Sequence, residues 1–275
     1  MKKGLCLFTV LGAGLFLIAP GKRAKEEDYV PFQNRNIAHR GLFAEDQSIP
    51  ENSLAAFARA VEAGYGIELD VQLSRDGKVV VFHDNDLKRV CGLEQPVNAL
   101  TFRQLQKLRL CGTEEKIPLF TDVLKLVKGK VPMIVELKAG GKDKLLCGKV
   151  RAILEDYQGE YCIESFDPRI VGWFKKHMPQ VVRGQLSCPA DSYKKGTSAI
   201  SAFVLSHLLM NCISRPQFIA YKVGPKPLTV QIVEKLGAKK VCWTSHDPVN
   251  EQFYDTVIFE FYQPKVWYKV DKERT

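Results

Sequence analysis

The chain has 275 residues, 45% of them apolar, with 20 Gly and 14 Pro. That suffices for one large domain or two small ones, and the near-average mix of apolar, charged and turn residues excludes a disordered tail, a collagen or a long coiled coil. Forty Lys and Arg against 31 Asp and Glu leave a net charge of +9, an excess that favours anionic partners such as phosphate groups, anionic lipid headgroups or nucleic acid.

Residues 4–21 carry no charge and lie between Lys2-Lys3 and the basic group Lys22, Arg23 and Lys25. A stretch of that length just crosses a bilayer core as a helix. A secretory signal peptide competes with this reading, but Pro20 follows Ala19, Lys22 stands two before Ala24, and Cys6 comes too early for a lipoprotein position. The expectation is an N-terminal transmembrane helix, an uncleaved membrane anchor over residues 1–25, with a barrel domain over 26–275. Basic residues on both flanks barely orient it. Seven cysteines follow, an odd number at irregular spacing with no CxxC. Such usage suits a reducing compartment and places the catalytic domain on the cytoplasmic side of the membrane.

From residue 36 onward, short runs rich in Val and Ile alternate with helical patterns. The runs are residues 37–39, 67–73, 79–83, 133–137, 161–165, 181–186, 218–223, 240–244 and 256–261. Between them, Leu54, Phe57, Ala58 and Val61 recur at helical spacing after Pro50-Glu51-Asn52, where Asn52 reads as a helix cap. Thr101 and Gln104 form a capping box, Asp167-Pro168 supplies an N-cap and an N1 proline, and Gly237 closes a helix over residues 229–236. Repeated strand–helix alternation predicts an α/β fold, a (β/α)8 TIM barrel. Nine runs are one too many. Ser74-Arg75-Asp76-Gly77 joins two of them with a turn too short for a parallel crossover, so the barrel is expected to be irregular, with one member of that hairpin outside it.

Polar groups gather at the C-terminal ends of the runs, where such a barrel keeps its active site. His39-Arg40-Gly41 ends the first, and Glu68-Leu69-Asp70 puts two carboxylates on one face of the second. His83-Asp84 ends the third, and Glu136-Leu137-Lys138 the fourth. A charged pair two apart in an apolar strand is expensive unless something compensates it. Three converging carboxylates invite a divalent cation, and all-oxygen ligands select Mg2+ or Ca2+ over zinc. Each feature has a plainer explanation when taken singly: a structural histidine, an edge-strand acidic pair, a Glu136–Lys138 ion pair. Their joint occurrence in order favours function.

These residues, with Pro50-Glu51-Asn52, the block Glu68 to Asp84, Leu87 to Arg89, Ser165-Phe166-Asp167 and Trp243-Thr244, resemble the glycerophosphodiester phosphodiesterase family. The resemblance is dense over residues 36–90 and thin after 170. It implies a barrel that hydrolyses glycerophosphodiesters to an alcohol and sn-glycerol 3-phosphate with a divalent metal. By matching position, Glu68, Asp70 and Glu136 would hold the metal, and His39 and His83 would be general acid and base. Arg40 and Lys138 would hold phosphate, and Trp243 would line the substrate pocket. The chain departs from the family's pattern late, with Ser245-His246 for the usual Val-Asn, and Phe259-Glu260 through Pro264 for the usual Thr-Asp before Pro. Two alternatives remain: a lysophospholipase D-like activity, and a catalytically inactive barrel that binds phospholipid headgroups. No helix-turn-helix, zinc-finger or RRM pattern appears, so nucleic acid is not an expected partner.

Overall fold

Strand β1 (Arg35–Ala38) pairs in parallel with a neighbour on each side, and this closes a barrel. The computed structural model describes residues 12, 14–22, 26–193 and 196–269. Next in chain order come β2 (Gly66–Leu73), β3 (Val79–Val81), and the short pair β4 (Asp86–Leu87) and β5 (Leu93–Pro96). The remaining strands are β6 (Met133–Leu137), β7 (Tyr161–Ser165), β8 (Arg183–Ser187), β9 (Phe218–Lys222), β10 (Lys239–Ser245) and β11 (Thr256–Phe259). Eight of them form the parallel barrel in the order β1, β2, β6, β7, β8, β9, β10, β11. The surplus run is β3, which folds back antiparallel on the end of β2, with Val71 opposite Val81. All nine predicted runs are therefore strands, and the hairpin explains the excess.

The residues between β3 and β6 build a small apolar lobe around Phe82, Leu87, Val97, Leu105 and Ile117. There the Thr101 capping box forms as expected. The main crossover helices are α2 (Leu54–Ala63), α3 (Phe120–Val127), α4 (Asp143–Leu154), α5 (Pro168–His177), α6 (Ala199–Ser206), α7 (Asn211–Ser214) and α8 (Leu228–Lys235), preceded by the short α1 (Glu26–Tyr29). Asp167 caps α5 with Pro168 at its first position, as predicted. Ser53, not Asn52, caps α2: its side chain accepts from Ala56 N–H.

Strand β2 is buried along its whole length, as both faces of a barrel strand must be. Its inward face is polar near the C-terminal end and meets apolar side chains lower down, including Ile37, Ile134, Cys162 and Ile258. Tyr29 and Phe32 complete this floor, with Tyr29 Oη 2.9 Å from Thr256 Oγ1. Full burial of such side chains is worth roughly 1.5–3 kcal/mol each. The floor is tight: a Cβ at Gly184 would meet the Phe218 ring at 2.0 Å.

Among the described residues no helix is long and apolar enough to cross a membrane, so the expected transmembrane helix finds no support there. Residues 1–11, 13 and 23–25 of the expected anchor lie outside the described residues. What is described of it packs on the barrel. Ile18 is buried with Leu208, Ile219 and Val230, Asn211 Nδ2 donates to Ile18 O at 2.8 Å, and Gly21 N–H donates to Pro216 O at 2.8 Å. Leu15, Phe16 and Leu17 stay exposed.

Candidate active site

The chain leaves β1 through a bend that only its sequence allows. Arg40 and Gly41 have positive φ of 55° and 81°, and a Cβ at Gly41 would come within 2.9 Å of the Ala56 backbone. Glycine is thus required where the turn crosses α2. The bend carries His39 and Arg40 over the C-terminal end of β2, and Arg40 N–H donates to Glu68 Oε2 at 3.0 Å.

Alternation along β2 puts Glu68 and Asp70 on the inner face, and parallel register sets Asp70 beside Glu136 and Glu136 beside Glu164. Ligand atoms of Glu68, Asp70 and Glu136 all lie within 4.8 Å of one another, with all three residues buried. Burial, then repulsion from Asp70, Glu136 and Glu164, pushes the Glu68 carboxyl well above its usual range. Burial likewise pushes Glu136 up to about 7 against the pull of Lys138. Asp70 behaves oppositely. Burial would raise it, but Lys138, His83, Arg40 and the Asn52 amide together hold it well below the usual range. Buried carboxylates that repel one another are a poor resting state without a further cation, and three such oxygen donors fit a hard divalent metal.

Cationic groups ring the cluster. Lys138 Nζ lies 2.8 Å from Glu136 Oε1 and 3.1 Å from Asp70 Oδ1. The plain Glu136–Lys138 ion pair therefore exists, but it sits inside the cluster. Arg40 Nη1 donates to Glu51 at 2.7 Å, while its buried Nε has no hydrogen-bond partner among the described residues and lies 3.8 Å from Asp70 Oδ2. Both histidines have carboxylate partners. His83 Nδ1 is 2.7 Å from Asp84 Oδ1. His39 Nδ1 is 2.5 Å from Glu260 Oε1, and its Nε2 is 3.7 Å from Glu68 Oε2. Burial lowers the pKa of both imidazoles, which favours neutral rings.

A cleft of about 750 Å³ opens over this floor, with Arg40, His83, Glu136, Lys138 and Trp243 in its walls. Trp243 Nε1 donates to Ala220 O at 3.0 Å, and its ring meets Phe166 edge-on. Helix α6 supplies an apolar wall through Ile200, Val204 and Leu205. All eight residues singled out from sequence therefore converge on the C-terminal end of the barrel.

A model of the glycerophosphoryl diester phosphodiesterase family matches residues 39–262. The chain belongs to that family. Over 166 residues it is 35% identical to a glycerophosphodiester phosphodiesterase of Caldanaerobacter subterraneus subsp. tengcongensis, covering 54% of this chain and 65% of that protein. Over 177 residues it is 32% identical to a lysophospholipase D of Rattus norvegicus, covering 57% of this chain and 53% of that protein. The chain thus spans less than two thirds of the length of these curated relatives. Its fold is similar to that of an Oleispira antarctica phosphodiesterase solved with the product sn-glycerol-3-phosphate, at TM-score 0.67 and 22% identity, covering 82% of this chain and 93% of that one. A glycerophosphodiester phosphodiesterase of Thermotoga maritima matches over the same shares at TM-score 0.60 and 27% identity.

Several residues of this glycerophosphoryl diester phosphodiesterase family member escaped notice as site residues. Asn52, at positive φ, donates to Asp70 Oδ2 at 2.8 Å and so holds a cluster carboxylate. Arg89 grips Glu51 through two 2.7 Å bonds and Asp84 through a third, linking Arg40's partner to His83's. Glu51, Asn52, Asp84 and Arg89 all stand in the dense family-like block, which was the available signal. Glu164 had none, and Glu260 stood out only as a departure from the family's pattern.

Proposed function

We propose that the protein is a metal-dependent phosphodiesterase that converts glycerophosphodiesters into an alcohol and sn-glycerol 3-phosphate. The observation that carries this reading is the buried Glu68–Asp70–Glu136 cluster set beside two carboxylate-paired histidines. Those three carboxylates are the proposed holders of one divalent cation, Mg2+ or Ca2+, which supplies charge to offset that building on the phosphoryl oxygens. Arg40, with its unpaired Nε, and Lys138 hold the phosphate as donors. His39 acts as base: its Nε2 takes the proton of the glycerol 2-hydroxyl as that oxygen bonds to phosphorus. His83, protonated for this step with Asp84 against its Nδ1, gives a proton to the departing alkoxide. Water then opens the cyclic phosphate, returning a proton to His83 as His39 gives its own back to the glycerol oxygen. Trp243 borders the alcohol's path.

The apolar α6 wall favours a second reading, lysophospholipase D-like cleavage of a diester that keeps an acyl chain. Ile200, in the wall of the cleft, is 78% exposed, and an apolar chain would cover it. For location, we propose an N-terminal membrane anchor with the catalytic domain on the cytoplasmic side. The exposed Leu15, Phe16 and Leu17 and the seven unpaired thiols among the described residues support this.

The test is glycerol 3-phosphate release by the full chain in detergent from glycerophosphocholine, glycerophosphoethanolamine and glycerophosphoglycerol, with Mg2+, Ca2+ or chelator. Metal-dependent release is expected, and Glu68→Gln should abolish it without altering the fold. Equal turnover in excess chelator would overturn the metal assignment. Choline release from lysophosphatidylcholine alone would favour the second reading.

A further inference from the structure

We propose that Glu260 is a positioning residue for His39, fixing which ring nitrogen carries the proton and aiming the other at the substrate. This rests on the phosphodiesterase reading above for its kinetic consequence, but not for its structural content.

A carboxylate only accepts hydrogen bonds. With Glu260 Oε1 2.5 Å from Nδ1, a neutral His39 ring keeps its proton on Nδ1. The lone pair then sits on Nε2, the nitrogen that faces the acidic cluster at 3.7 Å from Glu68. That is the tautomer a general base needs, and an orienting third group is how such a base is usually held. Glu260 is itself well placed for the task. Its N–H donates to Ser245 O at 3.0 Å, its side chain is only 14% exposed, and its second oxygen is 3.9 Å from His246 Nε2. His246 in turn stacks on Phe261, the residue after Glu260. Glu260 is not part of the acidic cluster whose ligand atoms converge, so its carboxylate is directed to the imidazole.

Two of the residues at which the sequence departs from the family's pattern, His246 and Glu260, thus lie side by side, with the Glu260 carboxylate between the two imidazoles. Glu260→Gln keeps the size of the side chain but removes the charge, and its amide can donate to Nδ1, moving the proton to Nε2. An imidazole in that state cannot accept the substrate's proton.

The experiment uses the full chain in detergent. Histidine-selective 15N NMR, above the ordinary imidazole titration range, reads the tautomer of His39, whose signal is identified by its loss in His39→Ala. The wild type should show the proton on Nδ1, and Glu260→Gln should lose that preference. With glycerophosphocholine, Glu260→Gln should lower kcat by about 10²-fold, within the range of acid–base contributions, while KM stays within about threefold. A wild-type His39 protonated on Nε2 overturns the proposal whatever the variant does. So does a folded Glu260→Gln with the Nδ1–H form intact and kcat within twofold. If the wild type hydrolyses no diester, the functional reading fails, and the NMR result still decides the role of Glu260.

Discussion

His39 and His83 reach the same acidic cluster from differently built surroundings. The carboxylate beside His83 is its chain neighbour Asp84, and Arg89 clamps it within five residues. The carboxylate beside His39 is 221 residues away on the far end of the chain, delivered only when β11 pairs with β1. One half of the site is therefore local. The other half exists only in the closed barrel, so anything that loosens the β1–β11 seam should disarm His39 before His83.

The largest effect comes from removing either ring. His39→Ala and His83→Ala should each lower kcat by about 10²–10⁴-fold, measured with glycerophosphocholine under saturating metal. A loss below tenfold in either would end its assignment as acid or base. Mild denaturant should separate the two halves: in the wild type, the His39 NMR signal should lose its Nδ1–H signature at lower urea than His83 loses contact with Asp84.

This contrast also explains what could be read in the sequence. The strand runs were legible because a barrel strand is apolar on both faces, and the surplus run was legible because Ser74 to Gly77 is too short for a crossover. The eight site residues lay at strand ends in one ordered pattern. Asn52 was misjudged for a physical reason. Asn before an apolar helical run has the signature of a cap, yet Ser53 takes the cap, which frees the Asn52 amide for Asp70. Glu164 left no local trace and Glu260 showed only as a departure from the family's pattern, because a carboxylate's role in a barrel depends on which strands close beside it. Even His39 was visible without its partner.

A middle-sized effect tests the local half. Arg89→Ala strips three hydrogen bonds from Glu51 and Asp84, leaving Glu51 with Arg40. Since Arg89 is half exposed, the expected cost is about 1–3 kcal/mol at neutral pH. Burial would raise both carboxyls, but Arg89, with His83 for Asp84 and Arg40 for Glu51, holds them below their usual values. A carboxyl depressed in the folded state stabilises the fold above its unfolded pKa, and that stability is lost as pH falls through the folded value. The gap in melting temperature between wild type and Arg89→Ala should therefore be full at neutral pH and shrink on acidification below about pH 4. A constant gap would mean that Arg89 acts through packing alone.

The smallest effect runs with the opposite sign. Glu164 lies beside Glu136 on β7, 1% exposed, with Oε2 lacking a hydrogen-bond partner among the described residues. Burial, then the negative charges of Glu136 and Asp70, pushes its carboxyl well above the usual range. A carboxyl raised in the folded state costs stability as pH rises above its unfolded value, because the folded chain must hold a proton the unfolded chain releases. Glu164→Gln mimics the protonated form and removes that cost. In metal-free protein it should raise Tm by roughly 2–4 °C at neutral pH, the shift that about 1 kcal/mol gives in a domain of this size, and by nothing below about pH 4. Unlike Glu260, Glu164 has no histidine to orient, so its removal should leave the His39 tautomer unchanged. A Glu164→Gln variant that melts lower than wild type at neutral pH would show that the charged carboxylate has a partner inside the barrel, and would move it into the same class as Asp70.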